Sequence, residues 1–279
     1  MKATGVGDYN RISVSPITGS IGAEVGNVEL RDLDDETLTE INDAWMAHKV
    51  LFFRDQELTR DQHVAYGKTL GELEVHPFSL NADSHPEILV LESTPEAFSA
   101  AESWHSDVTF REAPALGSIL IGRVIPPYGG DTCWTNMELA YDLLADDIKE
   151  GIDGRVAIHS YVKAFGRSMS PEQREKAAAD FPDQKHPIVR THPVTGVKSL
   201  FVNPIFTLTI DGMTPAESRD LRHQLYRQTT IPEIQCRLRW NLNSVAQWDN
   251  RCTQHYAVPD YAGHPRRVER VTILGDRPF

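Results

Sequence analysis

His105 and Asp107 stand two residues apart in the run Trp104-His105-Ser106-Asp107-Val108-Thr109-Phe110. The run reads as a β-strand or its exit, where period-two alternation puts the imidazole and the carboxylate on one face. A neutral nitrogen beside an anionic oxygen supplies two corners of a mixed N/O metal site. An isolated His-x-Asp is equally at home as a plain hydrogen-bonded pair, so a third ligand has to come from elsewhere. The best candidate is His255, where a buried-looking strand, Val245 to Trp248, runs into a polar segment. Two histidines and a carboxylate on one octahedral face leave three positions open, as in non-haem Fe(II) oxygenases. Zinc hydrolases use the same set with an activated water. His48, His63, His85, His159, His186, His192, His223 and His264 lie among charges or prolines without ligand-like spacing and read as solvated or structural.

Arg266, Arg267 and Arg270 cluster eleven and more residues beyond His255. A planar guanidinium there can hold a carboxylate by two parallel hydrogen bonds; a basic strand face paired to surface acids is the plainer alternative. The cluster stands out because the chain is acidic, with 28 Lys and Arg against 40 Asp and Glu and a net charge of −12. That balance argues against nucleic acid or an anionic membrane as partner. No apolar run approaches the ~18 residues of a membrane span, and the opening MKATGVGDYNRISVSP has no apolar core of a signal peptide. Cys133, Cys236 and Cys252 are odd in number and form no Cys-x-x-Cys pair, which fits reduced thiols in a cytoplasm.

The elements around these residues are mostly short strands. Ile12 to Val14 and Ala23 to Leu30 come first, then a helix capped by Asp34 or Asp35 with Leu38, Ile41, Trp45 and Met46 on one face. Lys49 to Arg54 reads as a buried strand, and Thr59 opens a second helix that stops near Gly71. Further strands are expected at Ile88 to Leu91, Trp104 to Phe110, Ser118 to Val124, Val156 to Tyr161, Ile188 to Thr191 and Leu200 to Val202. Cys236 to Trp240, Ala246 to Asp249 and Val268 to Leu274 complete the set. Two helices interrupt them, Glu172 to Ala179 after Ser170-Pro171 and Ser218 to Arg227 after Thr214-Pro215. This pattern predicts a mainly β fold with helical insertions, a sandwich or jelly roll rather than βαβ units. No GxGxxG, P-loop or GxSxG segment occurs. The 279 residues are expected to form one domain.

Taken together, the motifs resemble those of the Fe(II)/2-oxoglutarate-dependent dioxygenases, and more closely their taurine dioxygenase (TauD/TfdA) family. The resemblance runs through WHSDVTF at 104–110, GGDT at 129–132, HPIV at 186–189, THPVTG at 191–196, Val202-Asn203, WDNRCTQHY at 248–256 and RVTILGDRPF at 270–279. It extends to the amino end and so covers nearly the whole chain. It implies a double-stranded β-helix (jelly-roll, cupin-like) core, Fe(II) on His105, Asp107 and His255, and 2-oxoglutarate with its distal carboxylate on Arg266 and Thr132. O2 is then the other co-substrate, with succinate and CO2 released as a substrate carbon is hydroxylated. Related halogenases carry a small residue in place of Asp107, so its presence implies hydroxylation. Relatives are often dimers or tetramers.

The resemblance also implies an anionic small-molecule substrate, held by His76, Arg270 and the amide of Val108, with Phe165 and Phe206 along its carbon chain. Taurine enzymes carry Tyr and Asn where this chain has Ser79 and Ala101. Both changes remove polar contacts near the amine end of taurine. Other sulfonates, alkyl sulfates and carboxylates such as aryloxyalkanoates therefore stand beside taurine as candidates, and HYAVPDYAG at 255–263 is similar to aryloxyalkanoate-cleaving relatives. Hydroxylation at a carbon bearing sulfur or oxygen collapses to an aldehyde or keto acid, releasing sulfite, sulfate or a phenol. The competing readings are a zinc hydrolase on the same ligands and a non-catalytic jelly-roll binding module.

Overall fold

A computed structural model describes residues 8–75, 81–82, 84–96 and 102–279. The first half comprises β1 (Ser13–Pro16), β2 (Ala23–Gly26), α1 (Asp35–His48), β3 (Val50–Phe53), α2 (Arg60–Leu70), β4 (Asn81–Ala82), β5 (His85–Ser93), β6 (Gly117–Val124) and β7 (Thr132–Asn136). There follow α3 (Met137–Asp142), α4 (Asp146–Ile152), β8 (Val156–His159), α5 (Tyr161–Phe165), α6 (Pro171–Asp180), β9 (Gln184–Pro187), β10 (Val189–Thr191), β11 (Lys198–Leu200) and β12 (Thr207–Ile210). The chain ends with α7 (Pro215–Tyr226), β13 (Gln235–Leu238), β14 (Val245–Asp249), β15 (Thr253–Ala257) and β16 (Arg266–Ile273).

Eight strands form one sheet in the order β1-β2-β3-β14-β6-β16-β5-β4, and β13-β7-β15 form a second, three-stranded one. Alternation along the strands explains how the two pack. In β3, Val50 and Phe52 point inward while Leu51 and Phe53 point outward, and all four are buried. The inward set meets Leu120, Ala246, Trp248 and Val268 of the large sheet and Trp134, Cys236 and Leu238 of the small one. The outward set is covered by α1 and α2 through Ile41, Ala44, Trp45, Val64 and Tyr66. Two sheets sharing an apolar layer, with helices outside, make a jelly-roll core. A separate group of strands, β12-β8-β9 and β10-β11, packs with α3 and α7 around Ile188, Ile210 and Leu225. Among the described residues no helix is long and apolar enough to cross a membrane.

The capped helices begin where Asp34, Thr59, Ser170 and Thr214 accept hydrogen bonds from the first-turn backbone. Four expectations are corrected. Trp104 to Phe110 is not a strand: His105 makes a single antiparallel bridge with His255, and a turn follows at once. Val156 to Tyr161 ends at His159, because Ser160 caps α5. His255 is not beyond a strand end but lies within β15, opposite Trp134. Helical insertions also number more than two, since α3, α4 and α5 join α6 and α7 in the second half.

Candidate active site

The bridge between His105 and His255 brings their rings to 4.1 Å, and the turn after His105 folds Asp107 back beneath them. One ligand atom from each of His105, Asp107 and His255 lies within 4.8 Å of the others, and all three residues are buried. His105 Nε2 stands 4.0 Å and His255 Nε2 3.9 Å from Asp107 Oδ1. Those separations exceed a hydrogen bond, so the three donor groups converge on a common space without bonding to one another. His105 Nδ1 lies 2.8 Å from the Ser103 carbonyl, which puts the ring proton on Nδ1 and leaves the Nε2 lone pair to the site. Burial lowers the pKa of His105 against the pull of Asp107, and burial together with the His105 ring lowers that of His255 further. Burial alone would raise the Asp107 carboxyl; Arg270, the two histidines and Ser118 outweigh it and hold it below the usual carboxylate range. Two neutral imidazoles facing an ionised carboxylate are a donor set that fits a divalent metal.

The turn is held in a conformation its sequence disfavours. Val108 has φ +46°, which a β-branched residue rarely adopts. The Asp107 N–H donates to Asn250 Oδ1, and Thr109 Oγ1 accepts from Asn203 Nδ2 at 3.1 Å and lies 2.9 Å from His159 Nδ1. His186 Nε2 lies within 3.0 Å of the Thr109 and Arg111 carbonyls. Such convergent bonding is what keeps a strained backbone in place.

Arg266 and Arg270 point to the same side of β16, whereas Arg267 faces the other way and pairs with Glu269. Arg266 Nε donates to the Gly130 carbonyl at 3.1 Å, and its guanidinium lies over the rings of Trp240 and Tyr261. No acceptor among the described residues takes its two terminal nitrogens. Thr132, in β7, accepts the Trp240 indole N–H at 3.0 Å, which leaves its own hydroxyl proton to donate. Gly129 and Gly130 both have positive φ, and a Cβ on Gly129 would stand 2.6 Å from the Asp260 carbonyl. The double glycine thus permits the turn that aims the Gly130 carbonyl at Arg266.

Arg270 Nη1 donates to Asp107 Oδ1 at 2.5 Å. A cavity of about 450 Å³ is lined by both arginines, His105, His255, Thr132 and the apolar walls Leu91, Leu120, Phe165, Trp248 and Val268. Phe165 is 44% exposed and meets Phe206 edge-on at 6.0 Å; Phe206 itself is buried behind it and does not line the cavity. Val108 is buried beside Phe110 and Phe206. His76, Ser79 and Ala101 lie outside the described residues. Sequence reasoning overlooked Ser118, Asn250 and Trp240, whose polar atoms hold Asp107 and Thr132; of these only Asn250 lies inside a quoted motif, WDNRCTQHY.

A second buried group, His192, Asp249 and Cys252, is also close-packed. Val194 and Thr195 N–H donate to His192 Nδ1, so Nε2 carries the proton and donates to Asp249 Oδ2. Arg251 occupies both Asp249 oxygens, and burial pushes the Cys252 thiol well up. Both Asp249 oxygens and both His192 ring nitrogens are thus engaged within the protein, and the group is a structural network around the Asp249–Arg251 ion pair.

The family model described as taurine catabolism dioxygenase TauD, TfdA family matches residues 13–272. An alpha-ketoglutarate-dependent sulfate ester dioxygenase of Pseudomonas putida is 39% identical over 277 residues, 96% of this chain and 91% of its own. An alkylsulfatase of Acinetobacter baylyi is 38% identical over 275 residues, 95% of this chain and 86% of its own. The crystal structure of a taurine dioxygenase from Burkholderia xenovorans superposes with a TM-score of 0.84 at 38% identity, covering 96% of this chain and 91% of that one.

Proposed function

The chain belongs to the taurine catabolism dioxygenase TauD/TfdA family and is a 2-oxoglutarate-dependent dioxygenase, and from that premise we propose that it hydroxylates a small sulfate ester at the carbon bearing the ester oxygen. The observation that carries the reading is the pair Arg266 and Arg270. Four residues apart on one face of β16, their Cα atoms are about 13 Å apart, and both open into the cavity that His105 and His255 line. Two cationic ends in one cavity accommodate two anions, a co-substrate and a substrate.

His105, Asp107 and His255 would hold Fe(II). Bound there with 2-oxoglutarate and O2, the metal supplies the oxidising power that releases succinate and CO2 and hydroxylates the substrate carbon. Arg266 and the Thr132 hydroxyl hold the distal carboxylate of 2-oxoglutarate, three donors on one buried anion. Arg270 holds the substrate anion, which places the adjoining carbon against Phe165 and near the metal ligands. Because Arg270 also donates to Asp107, the substrate charge and the ligand carboxylate share one guanidinium. Leu91, Leu120, Phe165 and Val268 exclude water and suit an alkyl tail. A hydroxylated carbon bearing sulfate collapses to an aldehyde and free sulfate.

The names of the 38–39% identical relatives support a sulfate ester over taurine. An aryloxyalkanoate is the second reading, favoured by the aromatic cluster of Phe110, Tyr161, Phe165 and Phe206 beside the cavity. Succinate release across a panel of alkyl sulfates, alkyl sulfonates, taurine and aryloxyalkanoates tests both. An alkyl sulfate should give the highest kcat/KM, with sulfate and aldehyde formed in step with succinate. Coupled turnover confined to taurine would contradict the proposal.

A further inference from the structure

The structure assigns Asn250 and Ser118 as positioning residues that occupy one oxygen of Asp107 so that only the other faces the metal site; this rests on the reading of Asp107 as a metal ligand. Ser118 Oγ donates to Asp107 Oδ2 at 2.9 Å, and Asn250 Nδ2 reaches the same oxygen at 3.3 Å. Oδ1 is the oxygen near both histidines. Asn250 Nδ2 also bonds the Ser118 hydroxyl at 3.2 Å, which directs the hydroxyl proton at Oδ2. The amide itself cannot flip. Its Oδ1 accepts the Trp248 indole N–H at 3.0 Å and the Asp107 backbone N–H at 3.2 Å, both of which are donors only.

Asn250 and Ser118 are buried, and the Asn250 backbone N–H donates to the Leu116 carbonyl. The bracket is therefore fixed to β6 and to the turn after β14, not to the strained turn that carries Asp107. A carboxylate with Oδ2 released is free to rotate, so that Oδ1 is no longer fixed on the side of the two histidines. With Oδ2 held, the carboxylate presents a single oxygen, Oδ1, toward His105 and His255, where it would hold the metal with them.

Mn(II) binding to the full chain, read by the EPR signal of free Mn(II), and the visible spectrum of the Co(II)-loaded protein test this without turnover. Ser118→Ala, Asn250→Ala and the double variant are compared with wild type, with thermal unfolding as a control. Each single change should weaken Mn(II) binding about 10- to 100-fold and alter the Co(II) d–d bands, with Ser118→Ala unfolding within a few degrees of wild type. Wild-type affinity and spectrum in Ser118→Ala overturn the assignment even where Asn250→Ala fails to fold. Lowered thermal stability with unchanged metal binding overturns it as well, by making both residues merely structural. A wild-type chain that binds no Mn(II) contradicts the metal-site reading and takes this assignment with it.

Discussion

The Trp240 indole N–H donates to the Thr132 hydroxyl at 3.0 Å, and this bond decides where the hydroxyl sends its own proton. With the lone pair engaged, the proton is free for a carboxylate held by Arg266. Thr132→Val keeps the shape and removes the donor. A hydrogen bond to a charged group contributes about 1.5–3 kcal/mol, so KM for 2-oxoglutarate should rise roughly 10- to 100-fold with substrate KM little changed. Trp240→Phe should give a smaller rise, about fivefold, because it only releases the hydroxyl. Steady-state kinetics with each substrate varied separately checks both.

Gly130 touches the same arginine from the other side. A Cβ there would lie 3.1 Å from Arg266 Cδ and 3.2 Å from Nε. Gly130→Ala should therefore displace the guanidinium and raise KM for 2-oxoglutarate, and Arg266→Lys should do so more strongly, because an ammonium lacks the planar fork. Equal KM values in wild type and Arg266→Lys would remove Arg266 from the co-substrate end.

Arg270 serves two anions in this reading. Arg270→Ala should lower kcat/KM for every anionic substrate by 100-fold or more, the scale of losing one partner of a buried charge pair. It should also release succinate in excess of hydroxylated product, because the substrate is no longer held. Unchanged turnover of all anionic candidates would contradict the pocket assignment.

Stability should fall on mild acidification. Burial pushes the pKa of His63 and His186 down from 6.5 to about 4, and lowers those of His48, His105, His159 and His255 too. Between pH 6.5 and 4 the unfolded chain then holds protons that the folded chain refuses. The fold is favoured above 6.5 and loses up to about 1.4 kcal/mol per pH unit for each such histidine as pH drops. Glu269 acts lower. Burial would raise its carboxyl, but Arg60 and Arg123 outweigh this and hold it at about 2, so its stabilisation is present above 4.5 and lost below. Urea midpoints at pH 8, 6 and 5 should decrease in that order, and a flat series would contradict this assignment of charge states.

Much of the fold is legible from residues with strong local signals. Asp34, Thr59, Ser170 and Thr214 mark helix starts because their side chains bond the first turn, and the apolar run of β3 and β14 reads as central strand. β7 and β15 escape because Thr132–Asn136 and Thr253–Ala257 are polar for buried strands. Thr132 and His255 on these strands face the cavity, whereas Trp134 packs in the core. Alternation brings His105 and Asp107 together on paper, yet the real cause is a turn with Val108 at φ +46°, which no local preference for valine signals. The spacing of Arg266 and Arg270 is readable, but that Arg267 pairs with Glu269 on the opposite face depends on Arg60 and Arg123, distant in sequence.

Anaerobic titration of the protein with Fe(II) and then 2-oxoglutarate tests the central claim most directly. A weak visible metal-to-ligand charge-transfer band is expected, saturating at one 2-oxoglutarate per chain, and it should be lost in Asp107→Ala. No band in the wild-type protein, or an undiminished band in Asp107→Ala, would contradict the assignment of His105, Asp107 and His255 as the iron site.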